Sequence, residues 1–158
     1  MNKKSKKITK RIAAVCGALA IGAVSLSPGA MAAGNIKDSD WKYSLAASGT
    51  GLAAKEGREK LDDTSVYMKC TGVRPLQSGS TSGVSFRATA YGGNSATGSF
   101  SNKGYNGKIS PTYSMYNGKV QYMTNYIHEA GKRYANIYCQ PGNGGYLEFS
   151  GVWSPDSV

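Results

Sequence analysis

Hydrophobic and polar residues alternate along most of the chain after residue 40, and the alternation is clearest from Lys119 to Trp153. Three runs in this stretch have a period of two residues, and Gly-rich segments separate them. The pattern predicts three antiparallel β-strands joined as a meander. In the predicted register, Tyr126 lies opposite Tyr134, and Tyr138 lies opposite Tyr146.

This register sorts the side chains of the meander onto two faces. One face is predicted to point into the core and carries Met123, Ala135, Ile137, Cys139, Leu147 and Phe149. The other face carries five tyrosines, which are Tyr122, Tyr126, Tyr134, Tyr138 and Tyr146. A slip of one residue would exchange the two faces, so the pattern specifies the register strongly.

Earlier segments show the same period. Strands are predicted at residues 41–45, 66–70 and 84–91, a weaker one at 96–100, and a short helical turn or an extended crossing at 52–61. Together with the meander, about seven or eight strands at spacings near ten residues predict an all-β fold, an antiparallel β-sandwich or a partly closed barrel.

Turn chemistry separates these strands. The tetrapeptide Tyr-Asn-Gly-Lys occurs at residues 105–108 and again at 116–119. Asn-Gly favours tight hairpin turns because both residues tolerate positive φ angles. Pro111 lies between the two copies and lacks a backbone N–H, so the strand at residues 109–115 is predicted to lie at a sheet edge.

Residues 1–32 are predicted to be a cleaved export signal. Six of the first eleven residues are Lys or Arg, an apolar run from Ile12 to Leu26 follows, and Ala30-Met31-Ala32 fits the A-x-A cleavage rule. The mature protein then begins at Ala33 and forms a single secreted domain, residues 33–158. The alternative is an uncleaved anchor, but a run of about 15 residues is shorter than a membrane-spanning helix normally needs.

Removing the signal lowers the net charge considerably. The whole chain carries 19 Lys and Arg and 9 Asp and Glu, a net charge of +10. The signal contains six of the cations and none of the acids, so the mature domain has thirteen cations, nine acids and a net charge of +4. These cations are scattered, which does not indicate a nucleic-acid-binding surface. A mild positive charge is compatible with an anionic cell envelope.

Two cysteines, Cys70 and Cys139, lie in the predicted mature domain, whereas Cys16 lies in the signal. An even number of cysteines in an oxidising compartment predicts a disulfide, and both residues fall on predicted core faces. The bridge would close a loop of about 70 residues and contribute up to roughly 4 kcal/mol. Two buried free thiols are the alternative.

Residues suited to catalysis or metal binding are few. His128 is the only histidine and is predicted on an exposed loop, and Lys132 stands where a zinc-protease helix would carry a second histidine. Glu148 is predicted opposite Asn136, where a polar cross-strand pair accounts for it. Asp38-x-Asp40 has no acidic partner at calcium-ligand spacing. We therefore predict no catalytic residue, no cofactor and no metal.

The tyrosine face of the meander has three interpretations. Tyrosine favours strands, and aromatic pairs stabilise each other across strands, so the face is explained by packing alone. The functional interpretation is a platform that stacks on sugar rings or contacts another protein. In the third, a second sheet covers the face.

The chain ends Gly151-Val152-Trp153-Ser154-Pro155-Asp156-Ser157. Together with Asp63-Thr64-Ser65-x-Tyr67 and Asn125-Tyr126-Ile127-x-Glu129-x-Gly131, this ending resembles the YolA-like family of small exported proteins of Gram-positive bacteria, whose function is unknown. The resemblance spans most of the mature chain and implies an extracellular protein with no assigned activity. It supplies no functional residues and does not bear on the cysteine pair. In size, in its Gly/Tyr/Ser-rich β character and in its closing Gly-Val-Trp, the chain is also similar to lactococcin-972-type secreted bacteriocins.

Three functions follow as hypotheses. The first is a secreted, non-enzymatic binding protein at or outside the cell envelope, with a cell-wall polymer or another extracellular protein as partner. The second is a bacteriocin-like toxin, and the third is a small hydrolase, which would need His128 or Glu148 at the bottom of a pocket. Neither nucleic acid nor an integral membrane segment after cleavage is predicted.

Overall fold

The computed structural model describes residues 34–45, 49–102, 104–143 and 146–158. The predicted export signal with Cys16, and the predicted start at Ala33, lie outside these residues. The described chain forms ten β-strands: β1 (Ser39–Leu45), β2 (Gly51–Leu52), β3 (Arg58–Glu59), β4 (Val66–Pro75), β5 (Phe86–Gly93), β6 (Phe100–Ser101), β7 (Thr112–Met115), β8 (Val120–Met123), β9 (Tyr134–Pro141) and β10 (Leu147–Ser154). Three of them, β2, β3 and β6, have only two residues, which leaves seven longer strands in this part of the chain.

The strands form two antiparallel sheets. The first sheet has the order β1-β10-β4-β8, and the second has the order β2-β9-β5-β6, with β3 also paired to β9 and β7 to β5. Along one side the sheets meet, since the Lys42 amide of β1 donates to the Ala53 carbonyl beside β2 at 3.1 Å. The predicted all-β fold is confirmed, as a sandwich that is partly closed along this side.

The core lies between the sheets and is built from the alternating positions of both. Phe86 of the second sheet is at its centre, with ring centroids 4.7 Å from Phe149 and 5.5 Å from both Trp41 and Tyr43 of the first sheet. All six side chains predicted for the core face of the C-terminal runs are buried. The period-two pattern therefore identified the inward positions correctly.

The predicted C-terminal meander is wrong, because its three runs do not pair with one another. β8 and β10 lie on either side of β4 in the first sheet, whereas β9 lies between β5 and the short strands of the second sheet. Tyr126 and Tyr146 lie outside the strands, and Tyr138 is opposite Thr89 and Leu52. The ten residues between β8 and β9 are enough to cross from one sheet to the other.

The two Tyr-Asn-Gly-Lys copies form different turns. Asn106 and Gly107 both have positive φ angles, 51° and 77°, and close a tight hairpin turn between Tyr105 and Lys108. In the second copy only Gly118 has a positive φ angle, 85°. That turn joins β7 of the second sheet to β8 of the first. The strand after Pro111 does lie at a sheet edge, as predicted, and begins at Thr112.

Two other predicted segments are shorter or more irregular than expected. Residues 52–61 are extended and bent, with strand pairing only at β2 and β3, and the strand predicted at 96–100 is reduced to β6. Within the described ranges, no helix has the length and apolar character needed to cross a membrane.

Candidate functional site

A groove opens on the outer face of the first sheet, at the end where the chain terminates. It has a volume of about 240 Å³ and is lined by Ile36, Asp38, Tyr67, Tyr122, Ser154, Asp156, Ser157 and Val158. We call it the Tyr67–Tyr122 groove. Two neighbouring strands supply its aromatic walls, because Tyr67 of β4 lies directly opposite Tyr122 of β8.

The two tyrosine rings form an open corner. Their centroids are 5.5 Å apart and their planes are inclined by 51°, so neither ring covers the face of the other. Tyr122 is 52% exposed. Burial raises the pKa of Tyr67, and the neighbouring Asp38 carboxylate and Tyr122 hydroxyl raise it further. The Tyr67 hydroxyl therefore stays protonated and remains a hydrogen-bond donor at neutral pH.

Next to the groove lies a buried ion pair, whose carboxylate, Asp156, belongs to the groove lining. The Lys60 ammonium lies 2.6 Å from Asp156 Oδ1, and both side chains are fully buried. The other oxygen of Asp156 accepts hydrogen bonds from the backbone amides of Asn35 at 2.6 Å and Leu61 at 3.1 Å. This carboxylate thus ties the end of the chain to its first described residues and is fully occupied by protein groups.

Thr64 joins three separate segments beside this ion pair. Its carbonyl accepts hydrogen bonds from Lys60 Nζ at 2.7 Å and from Asn125 Nδ2 at 3.0 Å, and its hydroxyl accepts one from the Ser157 amide at 3.0 Å. Burial raises the pKa of Asp62, but its hydrogen bonds with Thr64 and Asp156 and the charge of Lys60 together outweigh burial and lower that pKa. The three short motifs behind the resemblance meet here, so they have a structural reason to occur together.

The five tyrosines predicted to share one face are distributed over the molecule. Tyr122 lies on the first sheet, Tyr134 and Tyr138 lie on β9 of the second, and Tyr126 and Tyr146 lie in connections. The Tyr138 ring stacks on Tyr91, with centroids 4.5 Å apart and planes inclined by 10°. Each of these two rings covers one face of the other, so this pair offers less aromatic surface than the groove. Only Tyr122 of the predicted set lines the groove.

The two residues considered for catalysis occupy exposed or paired positions. His128 is exposed, as predicted, and borders a shallow depression with Glu59, Lys132 and Arg133. Glu148 lies opposite Arg74 and Ser44 rather than Asn136, so the predicted pair is wrong. The Arg74 guanidinium donates to Glu148 at 2.7 Å and lowers its pKa. An ionised, salt-bridged carboxylate on a sheet surface has no structural feature of a general acid.

Cys70 of β4 and Cys139 of β9 point into the core from opposite sheets. Both are buried free thiols, so the predicted disulfide is absent from this structure. Burial raises the pKa of both thiols, and the proximity of Cys70 raises that of Cys139 further. The two thiols therefore lie near each other and are protonated at neutral pH.

Among the described residues, no group of three or more His, Cys, Asp or Glu side chains is placed to hold a metal ion.

The comparison with protein families places the chain in a family. A family model described as "Protein of unknown function (DUF2712)" matches residues 28–157, which include every strand of both sheets. The chain belongs to this family. No curated protein and no solved structure matches the chain. The match names neither the YolA-like family nor the lactococcin-972-type bacteriocins, so both stay resemblances.

Most of the groove could not be recognised from the pattern of residues along the chain. Tyr67 lies at an outward position of a predicted strand, and Asp38 lies in a polar segment, so both could be recognised as surface residues. No local pattern, however, placed either of them beside Tyr122. Asp156 appeared only as part of the closing motif. The pairing of β4 with β8 brings Tyr67 to Tyr122, and the pairing of β1 with β10 brings the segment around Asp38 to Asp156.

Proposed function

We propose that the protein is a secreted, non-enzymatic binding protein that acts at or outside the cell envelope and holds a cell-wall polymer in the Tyr67–Tyr122 groove. The observation that carries this proposal is the open corner formed by the two rings, 5.5 Å apart and inclined by 51°. Rigid aromatic rings with polar hydroxyls give large contact areas at a low entropic cost, because few torsions are frozen on binding.

Several features of the chain support the location and the partner. The first 32 residues have the composition of an export signal. The predicted mature net charge of +4 favours association with an anionic envelope. The YolA-like resemblance, which implies an extracellular protein, agrees with this proposal. Another extracellular protein is the alternative partner, and no observation specifically favours a toxin or a hydrolase.

Replacing both groove tyrosines by alanine should weaken binding to isolated Gram-positive cell walls by about tenfold or more, which corresponds to roughly 1.4 kcal/mol. The protein is produced from the full-length chain, and the bound fraction is measured by sedimentation with increasing amounts of wall. The matched control is the Tyr91→Ala, Tyr138→Ala double variant, which removes the stacked pair of the second sheet and should keep full affinity.

Four outcomes would contradict the proposal. Wild-type protein would fail to sediment with walls, or the groove variant would bind as well as wild type while its unfolding curve remains cooperative. Release of shorter wall fragments by the purified protein would instead identify an enzyme. Loss of binding only in the Tyr91/Tyr138 variant would transfer the site to the second sheet.

We further propose that Cys70 and Cys139 form a disulfide after export. The two thiols lose two electrons and two protons to an extracellular oxidant of the disulfide class, which is reduced to a dithiol. Support comes from the burial of both residues and from their proximity across the core. Thiol titration of the unfolded, unreduced protein should find no free thiol, and two reactive thiols would contradict the disulfide.

The reduced protein should lose stability as the pH rises above 9.0, the ordinary thiol pKa. Both thiols have raised pKa values when folded, so their protonated forms stabilise the fold below that pH, and this contribution is lost above it. Tyr43, whose pKa is raised to about 12 mainly by burial, adds a loss between pH 10.0 and 12. The urea midpoint is measured as a function of pH with and without reductant. Above pH 9.0 the midpoint of the reduced protein should fall further than that of the disulfide-bonded protein, because the disulfide has no thiol to titrate. Parallel pH dependence of the two midpoints would contradict this.

A further inference from the structure

Among the described residues, the lining of the Tyr67–Tyr122 groove contains two side-chain carboxylates and no Lys, Arg or His side chain. Asp156 is already neutralised from below by Lys60, at 2.6 Å. Asp38 is exposed and, among the described residues, forms no ion pair within 4.0 Å. Burial lowers the pKa of Arg58, and the charge of Asp38 partly offsets this, but the hydrogen bonds of this guanidinium go to the Lys37 carbonyl and Asn35. The groove therefore presents one side-chain carboxylate, that of Asp38, with which no described residue forms an ion pair.

Among the described residues, no cation lies over the aromatic rings of the groove, unlike several other rings of this protein. Arg58 lies 5.8 Å from the centroid of Trp153, Lys108 5.8 Å from Tyr126, Lys119 6.0 Å from Tyr116 and Arg133 6.0 Å from Tyr134. In the described part of the chain, no Lys or Arg lies over Tyr67 or Tyr122. Aromatic faces attract cations, and this attraction grows where water is displaced.

These features select a ligand of positive charge. A carboxylate beside two inclined tyrosine rings is complementary to an ammonium group, through charge with Asp38 and through the ring faces of Tyr67 and Tyr122. A polymer that is also a glycan would place sugar rings against the same aromatic walls. An N-acetylated or anionic glycan would leave the Asp38 carboxylate without a counter-charge.

We infer that the Tyr67–Tyr122 groove recognises a glycan bearing free amino groups, with one ammonium group at Asp38 and its sugar ring against Tyr67 and Tyr122. This inference rests on the proposed function and specifies the chemical class of its ligand. Asp38 supplies the discrimination between charged and acetylated sugars, and the two rings supply contact common to both.

Two oligosaccharides that differ only in this group test the inference. The hexamer of β-1,4-linked glucosamine carries ammonium groups, and the hexamer of N-acetylglucosamine has the same backbone without them. Calorimetric titration of wild-type protein at physiological ionic strength, and at a mildly acidic pH where the glucosamine amines are protonated, should show at least about tenfold tighter binding of the amino hexamer. Asp38→Asn should remove most of this preference, because it weakens binding of the amino hexamer.

Asp40→Asn is the matched control. Asp40 is an exposed carboxylate two residues further along, outside the groove lining, and its removal changes the net charge of the protein by the same amount. It should keep the preference for the amino hexamer. Equal loss in both aspartate variants would show unspecific charge attraction and overturn the inference.

The outcomes also separate this inference from the proposed function. If wild type sediments with cell walls in a Tyr67/Tyr122-dependent manner but binds the amino hexamer no better than the acetylated one, the ammonium assignment is wrong and the proposed function stands. If the groove variant keeps full affinity for walls, the proposed function itself fails. If wild type binds cell walls but neither hexamer, the inferred ligand class is also wrong, and the proposed function still stands.

Discussion

Replacing Asp156 by asparagine should lower the free energy of unfolding by roughly 3–5 kcal/mol, because it leaves the Lys60 ammonium buried without its main counter-charge. Lys60 and Asp156 are both fully buried, and their charged atoms lie 2.6 Å apart. Asp62 lies 3.6 Å from the same ammonium and offers partial compensation, which places the expected loss at the lower end of that range. Urea denaturation of wild type and variant measures the difference.

A second variant separates the buried charge from general damage to the site. Adding Lys60→Met to Asp156→Asn removes the unpaired ammonium while an oxygen acceptor remains for the Asn35 and Leu61 amides. The double variant should therefore be more stable than Asp156→Asn alone. Glu59→Gln serves as the control for an exposed ion pair. Its partner Arg133 is 71% exposed, so a change of at most about 1 kcal/mol is expected. If Asp156→Asn lowers the free energy of unfolding by less than about 1 kcal/mol, the ion pair does not hold the segment of Asp156 to those of Asn35 and Leu61.

Gly151→Ala should destabilise the protein by roughly 3 kcal/mol, the upper end of what overpacking normally costs. A Cβ atom at this position would lie 1.9 Å from the Lys69 carbonyl oxygen and 2.9 Å from Trp41 Nε1. Lys69 belongs to β4 in the interior of the first sheet, and its carbonyl also accepts a hydrogen bond from Trp41 at 3.2 Å. Neither the strand nor the buried Trp41 ring has room to move away.

The control for Gly151 is another glycine at a strand position. A Cβ atom added to Gly51 would meet no other atom within 4 Å, and this residue does not have a positive φ angle. Gly51→Ala should therefore change the unfolding free energy by no more than about 0.5 kcal/mol. Similar midpoints for the two variants in the same urea titration would show that β4 and β10 separate more easily than the structure indicates.

The thiols and the tyrosines illustrate what a local pattern leaves open. Cys70 and Cys139 were both placed on core faces by alternation, and both are buried, but their orientation across the core follows from the strands around them. The outward orientation of Tyr122 was predicted correctly from the alternation. Its neighbour in space, however, is Tyr67, 55 residues earlier in the chain, rather than another tyrosine of the C-terminal runs.

The sequence by itself determined the all-β class and the inward and outward sides of the strands. It also located the edge strand that follows Pro111. These properties depend on neighbours along the chain, since side chains alternate across a strand and proline lacks a donor. The tertiary structure decided which strands pair, and with that the groove. A period of two only requires that one face be buried, and both sheets offer such a face to β8, β9 and β10. The choice between them depends on contacts such as Phe86 with Phe149 and Thr64 with Ser157, which join residues far apart in the sequence. Tyr67, Tyr122, Asp38 and Asp156 form one site for the same reason.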